Sequence, residues 1–231
     1  MKILVITGDE RVNSQLKQHL LQLNYEVLSE SFANKAFLKF KAEKPDLVIL
    51  DLILNDYDGL ELCRKIRAET AIPIIILSAL STIQDRLTGF TAGATDYIIK
   101  PFSIKELAAR INALLNSFGA SNPNSQKNQT NFSIANISFD RIKQQVYRGK
   151  RTIKLTRIES KLLELLILNA GQHLSRPTIL DNIWGYTPER PMDLRVVDVY
   201  VARLRAKIEE IPSKPELILT VRGLGYKLPK H

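Results

Sequence analysis

Five short runs of β-branched and aliphatic residues, Ile3–Thr7, Tyr25–Ser31, Asp46–Leu52, Ile74–Ser78 and Tyr97–Ile99, punctuate the first half of the chain. Helical patterns fill the intervals, over about 12–23, 34–43, 58–69, 82–92 and 103–117, with Pro73 and Pro101 between elements as breakers. Strands that are apolar almost throughout are buried on both faces, and strands that take turns with helices pair in parallel. The first half is therefore predicted to be α/β, a doubly wound five-stranded parallel sheet. It carries neither a G-x-G-x-x-G turn nor a phosphate loop, which disfavours a nucleotide-using enzyme. In open parallel sheets the chemistry collects beyond the carboxyl ends of the strands. Those ends offer Thr7 and Gly8, then Asp51, then Ser78, then Lys100 before Pro101.

The stretches PDLVILDLILNDYDG, PIIILSA and DYIIKPF resemble the third, fourth and fifth strands of the receiver domain of response regulators, and the resemblance extends over residues 1–118. It implies that Asp51 accepts a phosphoryl group from a histidine kinase, that Ser78 meets the phosphoryl oxygens, and that Lys100 pairs with them. It also makes Tyr97 the aromatic that changes orientation on activation, set against a half-exposed strand residue. The roles are physically sensible, because a carboxylate attacking phosphorus needs its target's charge neutralised.

One part of the resemblance fails. Receivers carry an acidic pair at the end of the first strand that holds Mg²⁺ together with the acceptor, and Thr7 and Gly8 stand there instead. Mg²⁺ takes near-octahedral oxygen ligands and is usually held by one or two carboxylates besides phosphate. Binding of Mg²⁺ is therefore expected to be weak or absent, with no cofactor required. Asp9 and Glu10 lie one and two residues further on, where Asp9 reads more simply as a helix cap. Phosphorylation of Asp51 is then expected to be slow or unused. The alternative is a conventional phosphorylation-activated regulator, since Asp51, Ser78 and Lys100 all survive.

Leu87, Phe90 and Ala108 are predicted to form an apolar homodimer patch. The pairs Arg86 with Glu106 and Asp96 with Arg110 match cross-subunit ion pairs of OmpR/PhoB-type receivers. An intramolecular salt-bridged surface is the competing reading. Cys63 falls on the buried side of the third helix and reads as a core thiol. As the only cysteine it excludes an internal disulfide framework and suits a reducing compartment. No signal-like or membrane-spanning apolar run occurs, and the expected localisation is cytoplasmic.

Residues 1–118 balance 14 basic against 14 acidic side chains, so the whole net charge of +9 falls in the second half. A part that basic expects a polyanion. The stretch Asp193–Glu210 places Val197, Val201, Leu204 and Ile208 on one helical stripe, with Arg195, Val199, Tyr200, Arg203 and Lys207 off it. It spares no large apolar face for a membrane, so double-stranded DNA is the partner that fits.

The polar segment Gly119–Asn131 reads as a flexible linker (119–131) before a second domain at 132–231. Sheet-forming stretches Phe132–Phe139, Gln145–Tyr147 and Thr152–Leu155 lead to a capping box, Thr156 with Glu159, that opens a helix over Arg157–Asn169 feeding Leu162, Leu163, Leu165 and Leu166 to the core. Ser175 caps a short helix running into Trp184. Leu217–Val221 and Gly225–Leu228 form a hairpin around Arg222-Gly223-Leu224.

This order, with TRIESKLLELL, SRPTILDNIWG, RVVDVYVARLRAKI and TVRGLGYKL, resembles the winged helix-turn-helix effector domain of OmpR/PhoB-type transcription factors. By that resemblance Arg195, Val199, Tyr200, Arg203 and Arg205 meet DNA from the helix, and Thr220, Arg222 and Tyr226 from the wing. The loop Trp184–Met192 resembles the family's RNA polymerase contact, with Trp184 itself a core anchor. His19, His173 and His231 lack metal-ligand spacing. The whole reads as a two-component-type transcriptional regulator and not an enzyme. A phosphotransfer sink is the second class, and Asp51→Ala separates the two by abolishing only a sink.

Overall fold

The computed structural model describes residues 1–231 except 55, 120–130, 135, 185–193 and 231. The chain divides into two compact units, Met1–Gly119 and Ala120–His231. Almost all of the expected linker, and the expected polymerase loop beyond Trp184, fall outside the described residues.

In the first unit, β1 (Lys2–Ile6), β2 (Glu26–Glu30), β3 (Leu47–Asp51), β4 (Ile74–Ser78) and β5 (Asp96–Ile99) form one parallel sheet in the order β2-β1-β3-β4-β5. The helices α1 (Glu10–Gln22), α2 (Ala33–Glu43), α3 (Gly59–Glu69), α4 (Ile83–Ala92) and α5 (Ile104–Gly119) connect or follow them. The central strands β3 and β4 are buried at every residue, as continuous apolar runs require. The edge strand β2 departs from the expectation. Glu26 is exposed and Ser29 and Glu30 are half-exposed, because an edge strand is covered less completely and must stay polar where it meets water.

Local chemistry fixes the helix starts. Asp9 caps α1 by accepting from the backbone N–H of Arg11 and Val12, and Thr82 with Asp85 makes a capping box on α4. Phe32 cannot cap α2, so Asp56, from the segment after β3, accepts from Ala33 N at 2.9 Å. Cys63 is fully buried beside Leu62 and Ile66, in the core position expected of it.

The second unit begins with an antiparallel sheet of β6 (Asn131–Ile134), β7 (Ile137–Asp140), β8 (Gln145–Arg148) and β9 (Arg151–Lys154). The stretch Phe132–Phe139 is thus two strands of a hairpin, and the rings of Phe132 and Phe139 stack across it with centroids 6.1 Å apart. Three helices follow, α6 (Arg157–Leu168), α7 (Arg176–Trp184) and α8 (Arg195–Ile208). Leu162, Leu163 and Leu166 are buried, whereas Leu165 is only half-buried, one position off the core stripe.

The second unit ends in a sheet of β10 (His173–Leu174), β12 (Gly225–Lys227) and β11 (Leu219–Val221), in that order. A two-residue strand leaves no periodicity to read, and β10 is absent from the sequence reading. Gly225 makes the pairing geometrically possible. It sits at φ +140°, and a Cβ there would meet the carbonyl oxygen of Leu174 at 2.0 Å. Among the described residues no helix is long and apolar enough to cross a membrane.

Candidate functional site

At the carboxyl end of the first sheet, Thr7, Asp51, Ser78 and Lys100 lie on or just beyond adjacent strands, as the topology demands. Asp51 is 4% exposed, and Thr7 and Ser78 are buried beside it. One carboxylate oxygen, Oδ2, accepts from the Thr7 hydroxyl at 3.0 Å and pairs with the Lys100 ammonium. The other, Oδ1, accepts from Ile53 N at 3.2 Å. The Thr7 oxygen in turn accepts from Asp9 N at 3.2 Å, so its own proton is directed at Asp51. Ser78 Oγ accepts from Leu80 N at 3.0 Å.

Of the two acidic residues that follow Gly8, Asp9 is engaged as the cap of α1. Asp9 Oδ1 accepts from Arg11 N at 2.9 Å and Val12 N at 3.2 Å, and the Val12 hydrogen bond leads in holding its carboxyl below the ordinary value. Glu10 is exposed in the first turn of α1. The donor set around Asp51 is therefore a carboxylate, a hydroxyl whose proton already faces that carboxylate, and an ammonium. Mg²⁺ takes about six oxygen ligands at ~2.0–2.1 Å, and of the four residues at these strand ends Asp51 alone supplies a carboxylate.

Tyr97 is buried, not half-exposed. Its hydroxyl donates to Leu80 O at 2.9 Å, and its ring occupies the space above Gly89, where a Cβ would come within 2.8 Å of Cδ2. Burial pushes the phenol's pKa up.

The expected dimer patch is altered in two respects. Phe90 is 3% exposed and packs against Tyr97 at 6.3 Å, so it belongs to the core; Leu87 and Ala108 remain half-buried on α4 and α5. Asp96 and Arg110 pair within one chain, Nη1 reaching Oδ2 at 3.0 Å, while Nη2 reaches Glu106 one turn away at 2.9 Å. Asp96 is buried, and desolvation raises its pKa against the pull of Arg110. Arg86 is half-buried on α4.

In the second unit, α8 buries Val197, Val201, Leu204 and Ile208, the stripe read from the sequence. Tyr200 corrects that reading. It is 2% exposed and meets Trp184 edge to face at 5.2 Å, because it continues the stripe through Val196 and Leu204 at i−4 and i+4. Trp184 is the core anchor expected of it. Lys207 is also drawn in, donating to the buried carboxylate of Glu159 at 2.6 Å. The outward face keeps Arg195 and Ala202 exposed, with Val199 and Arg203 half-exposed. The Arg203 guanidinium lies over the Tyr200 ring at 5.1 Å, which restricts the rotamers it can take.

Thr220 and Arg222 are exposed on the hairpin, with Gly223 at φ +74° supplying its turn. Tyr226 and Arg205 are not free to the same degree. Arg205 donates to Ile218 O and to Thr220 Oγ1 at 2.8 Å. Tyr226 is buried, and its hydroxyl donates to Asp198 Oδ1 at 2.6 Å. Arg176 Nε donates to the same Asp198 oxygen at 2.7 Å.

Burial and the Asp198 carboxylate together push the Tyr226 phenol up to about 12. A raised value means the unfolded chain gives up this proton first, so the phenol's stabilising contribution is complete below about pH 10 and disappears as pH rises towards about 12. The stability gap between wild type and Tyr226→Phe should therefore close by about 2 kcal/mol across that window. Urea unfolding at its two ends checks this; an unchanging gap would refute it.

Sequence reasoning missed Arg176, Asp198 and Glu209 as structural charges, and it found Glu159 as half of a capping box but not as the partner of Lys207. Glu209 is buried at the end of α8 and accepts from Leu217 N at 3.1 Å and Ile218 N at 2.9 Å, fixing the approach to the hairpin. The one signal available was an acidic residue, Asp198, isolated on an otherwise cationic helix.

Residues 3–112 match the family described as response regulator receiver domain, and residues 149–228 match transcriptional regulatory protein, C terminal. The chain is 48% identical over 228 residues to the probable transcriptional regulator ycf27 of Porphyridium aerugineum, covering 97% of this chain and 94% of that one. It is 37% identical over 229 residues to response regulator MprA of Mycobacterium avium (strain 104), covering 99% and 98%. Among solved structures it is similar to response regulator DrrB, a Thermotoga maritima OmpR/PhoB homolog, with TM-score 0.51, 31% identity and 99% of each chain covered.

Proposed function

The chain belongs to the OmpR/PhoB-type response regulators, DNA-binding transcriptional regulators in which a receiver precedes a winged-helix domain, and from that premise we propose that its receiver works with little or no dependence on phosphorylation of Asp51. The observation that carries this reading is the state of Oδ2, which already accepts from Thr7 and pairs with Lys100. An in-line attack on phosphorus needs a free carboxylate oxygen and added positive charge on the phosphoryl group. Here Oδ2 is held by two donors and Oδ1 by the Ile53 N–H, and the cation that would supply the charge has one carboxylate to bind to.

The test is genome-wide DNA capture with wild type and Asp51→Asn side by side. Occupancy should agree within about twofold at shared sites, since a change under ~0.4 kcal/mol is expected where no switch is thrown. Loss of sites in the variant would favour the conventional phosphorylated regulator, whose support is that Asp51, Ser78 and Lys100 stand at adjacent strand ends.

In the DNA-binding domain we assign Arg195, Val199 and Arg203 to base and phosphate contacts in the major groove, and Thr220 and Arg222 to the wing. Val199 suits a thymine methyl and Arg203 a guanine or a phosphate. Arg222→Ala should flatten the dependence of log affinity on log salt by about one counterion, measured by titration across several salt concentrations. An unaltered slope would remove Arg222 from the interface. Pairing through the α4–α5 face, an RNA polymerase contact and a cytoplasmic site complete the reading, and a histidine kinase donor belongs to the conventional alternative. Dimers would require half-sites about 10 bp apart.

A further inference from the structure

A carboxylate on the helix that faces DNA is electrostatically out of place, because every phosphate it approaches repels it. Asp198 is nevertheless 41% exposed on α8, amid Arg195, Arg203 and Arg205. Its surroundings explain why it is tolerated. One oxygen, Oδ1, accepts from Arg176 at 2.7 Å, at the first residue of α7, and from the Tyr226 hydroxyl at 2.6 Å, on β12 of the wing. The Arg176 guanidinium also lies over the Tyr226 ring at 5.0 Å. Three elements distant in sequence therefore converge on a single oxygen.

A second fastening lies two helical turns along. Asp198 and Arg205 are seven residues apart and share one face of α8. Arg205 holds the other wing strand through Ile218 O and Thr220 Oγ1. Gly225 brings β12 hard against Leu174 and Ser175, immediately before Arg176. The wing is thus attached to the reading helix on both of its strands.

We propose that Asp198 is a positioning residue that fixes the wing to the reading helix through Tyr226 and Arg176, so that both engage DNA as one rigid body. It follows that Tyr226 acts through Asp198, and not chiefly as a DNA contact. The proposal rests on the reading that α8 and the wing carry the DNA.

The experiment uses the full-length chain and a duplex selected from a random-sequence pool by the wild type. Electrostatics alone makes Asp198→Asn bind more tightly, since it removes a negative charge and releases Arg176. The positioning role makes it bind about tenfold more weakly, the fold-change expected from losing one or two charge-assisted hydrogen bonds. Tyr226→Phe, which keeps the ring in place, should weaken binding similarly, and the double variant should be no weaker than the worse single one. In the free protein both variants should exchange the backbone amides of Val221–Gly225 faster, while those of α6 stay protected.

Equal or tighter binding by Asp198→Asn, or strictly additive losses, would overturn the proposal. If Asp198→Asn also exposes the α6 amides, Tyr226→Phe with its intact ring decides the matter by the same criteria. Arg203→Ala is the control for the reading beneath. If it leaves affinity unchanged, the assignment of α8 to DNA fails, whereas a loss there without one in Asp198→Asn rejects the positioning role alone.

Discussion

Replacing Thr7 and Gly8 together with aspartate should convert the receiver from a poor phosphoryl acceptor into a rapid one. In the present chain Thr7 donates to Asp51 Oδ2, and the Lys100 ammonium shares that oxygen. The double variant removes the donor and adds two carboxylates at the end of β1, next to β3 in the sheet. Three acidic side chains then surround one point, a set of hard oxygens that Mg²⁺ accepts. A metal bridging acceptor and phosphoryl group lowers the barrier by several kcal/mol, or on the order of 10²-fold or more in rate. Incubation with Mg²⁺ and a small acyl phosphate, followed by intact mass, measures the effect. Labelling should depend on Asp51 and on Mg²⁺ in the variant and be slow in wild type. Rapid stoichiometric labelling of wild type would defeat the proposal that its receiver runs without phosphate.

Why the sequence disclosed the strand ends but not the wing fastening is a matter of range. Asp51, Ser78 and Lys100 could be placed because parallel strands with buried faces leave one end for chemistry, and topology alone brings those ends together. The capping residues Asp9, Thr82 and Thr156 are local, acting within three residues of themselves, and Thr156 with Glu159 was legible for that reason. Tyr200 was misplaced because an aromatic can lie at the margin of a stripe, and only the position of Trp184 decides which way it turns. The Arg176–Asp198–Tyr226 cluster spans 50 residues, and no periodicity connects its members. Phe90 failed similarly: helical spacing put it beside Leu87, but the space that Gly89 leaves for Tyr97 draws the neighbouring ring inward.

Removing the Lys100 ammonium while keeping the methylene stem, as Lys100→Met, should be among the most destabilising single changes in the receiver. Asp51 is 4% exposed, and its charge is balanced by that ammonium, the Thr7 hydroxyl and Ile53 N. Two neutral donors do not offset a buried anion; breaking such a pair by deleting one partner typically costs ~3–5 kcal/mol. The Lys100 side chain keeps 23% of its surface in water, so screening brings the expected loss to about 2–3 kcal/mol. That remains a large share of a domain's ~5–15 kcal/mol. Asp51→Asn should cost less, about 1 kcal/mol, because the amide can still receive the Thr7 hydrogen bond and the freed lysine can extend to solvent. The combination Asp51→Asn with Lys100→Met should recover most of the loss seen with Lys100→Met alone, since no charge is then left buried. Two linked domains need not unfold as one, so the measurement is native-state hydrogen exchange at the β4 amides Ile74–Ser78. Lys100→Met and Asp51→Asn costing the same, with no recovery in the pair, would mean that solvent, and not Lys100, holds the aspartate's charge.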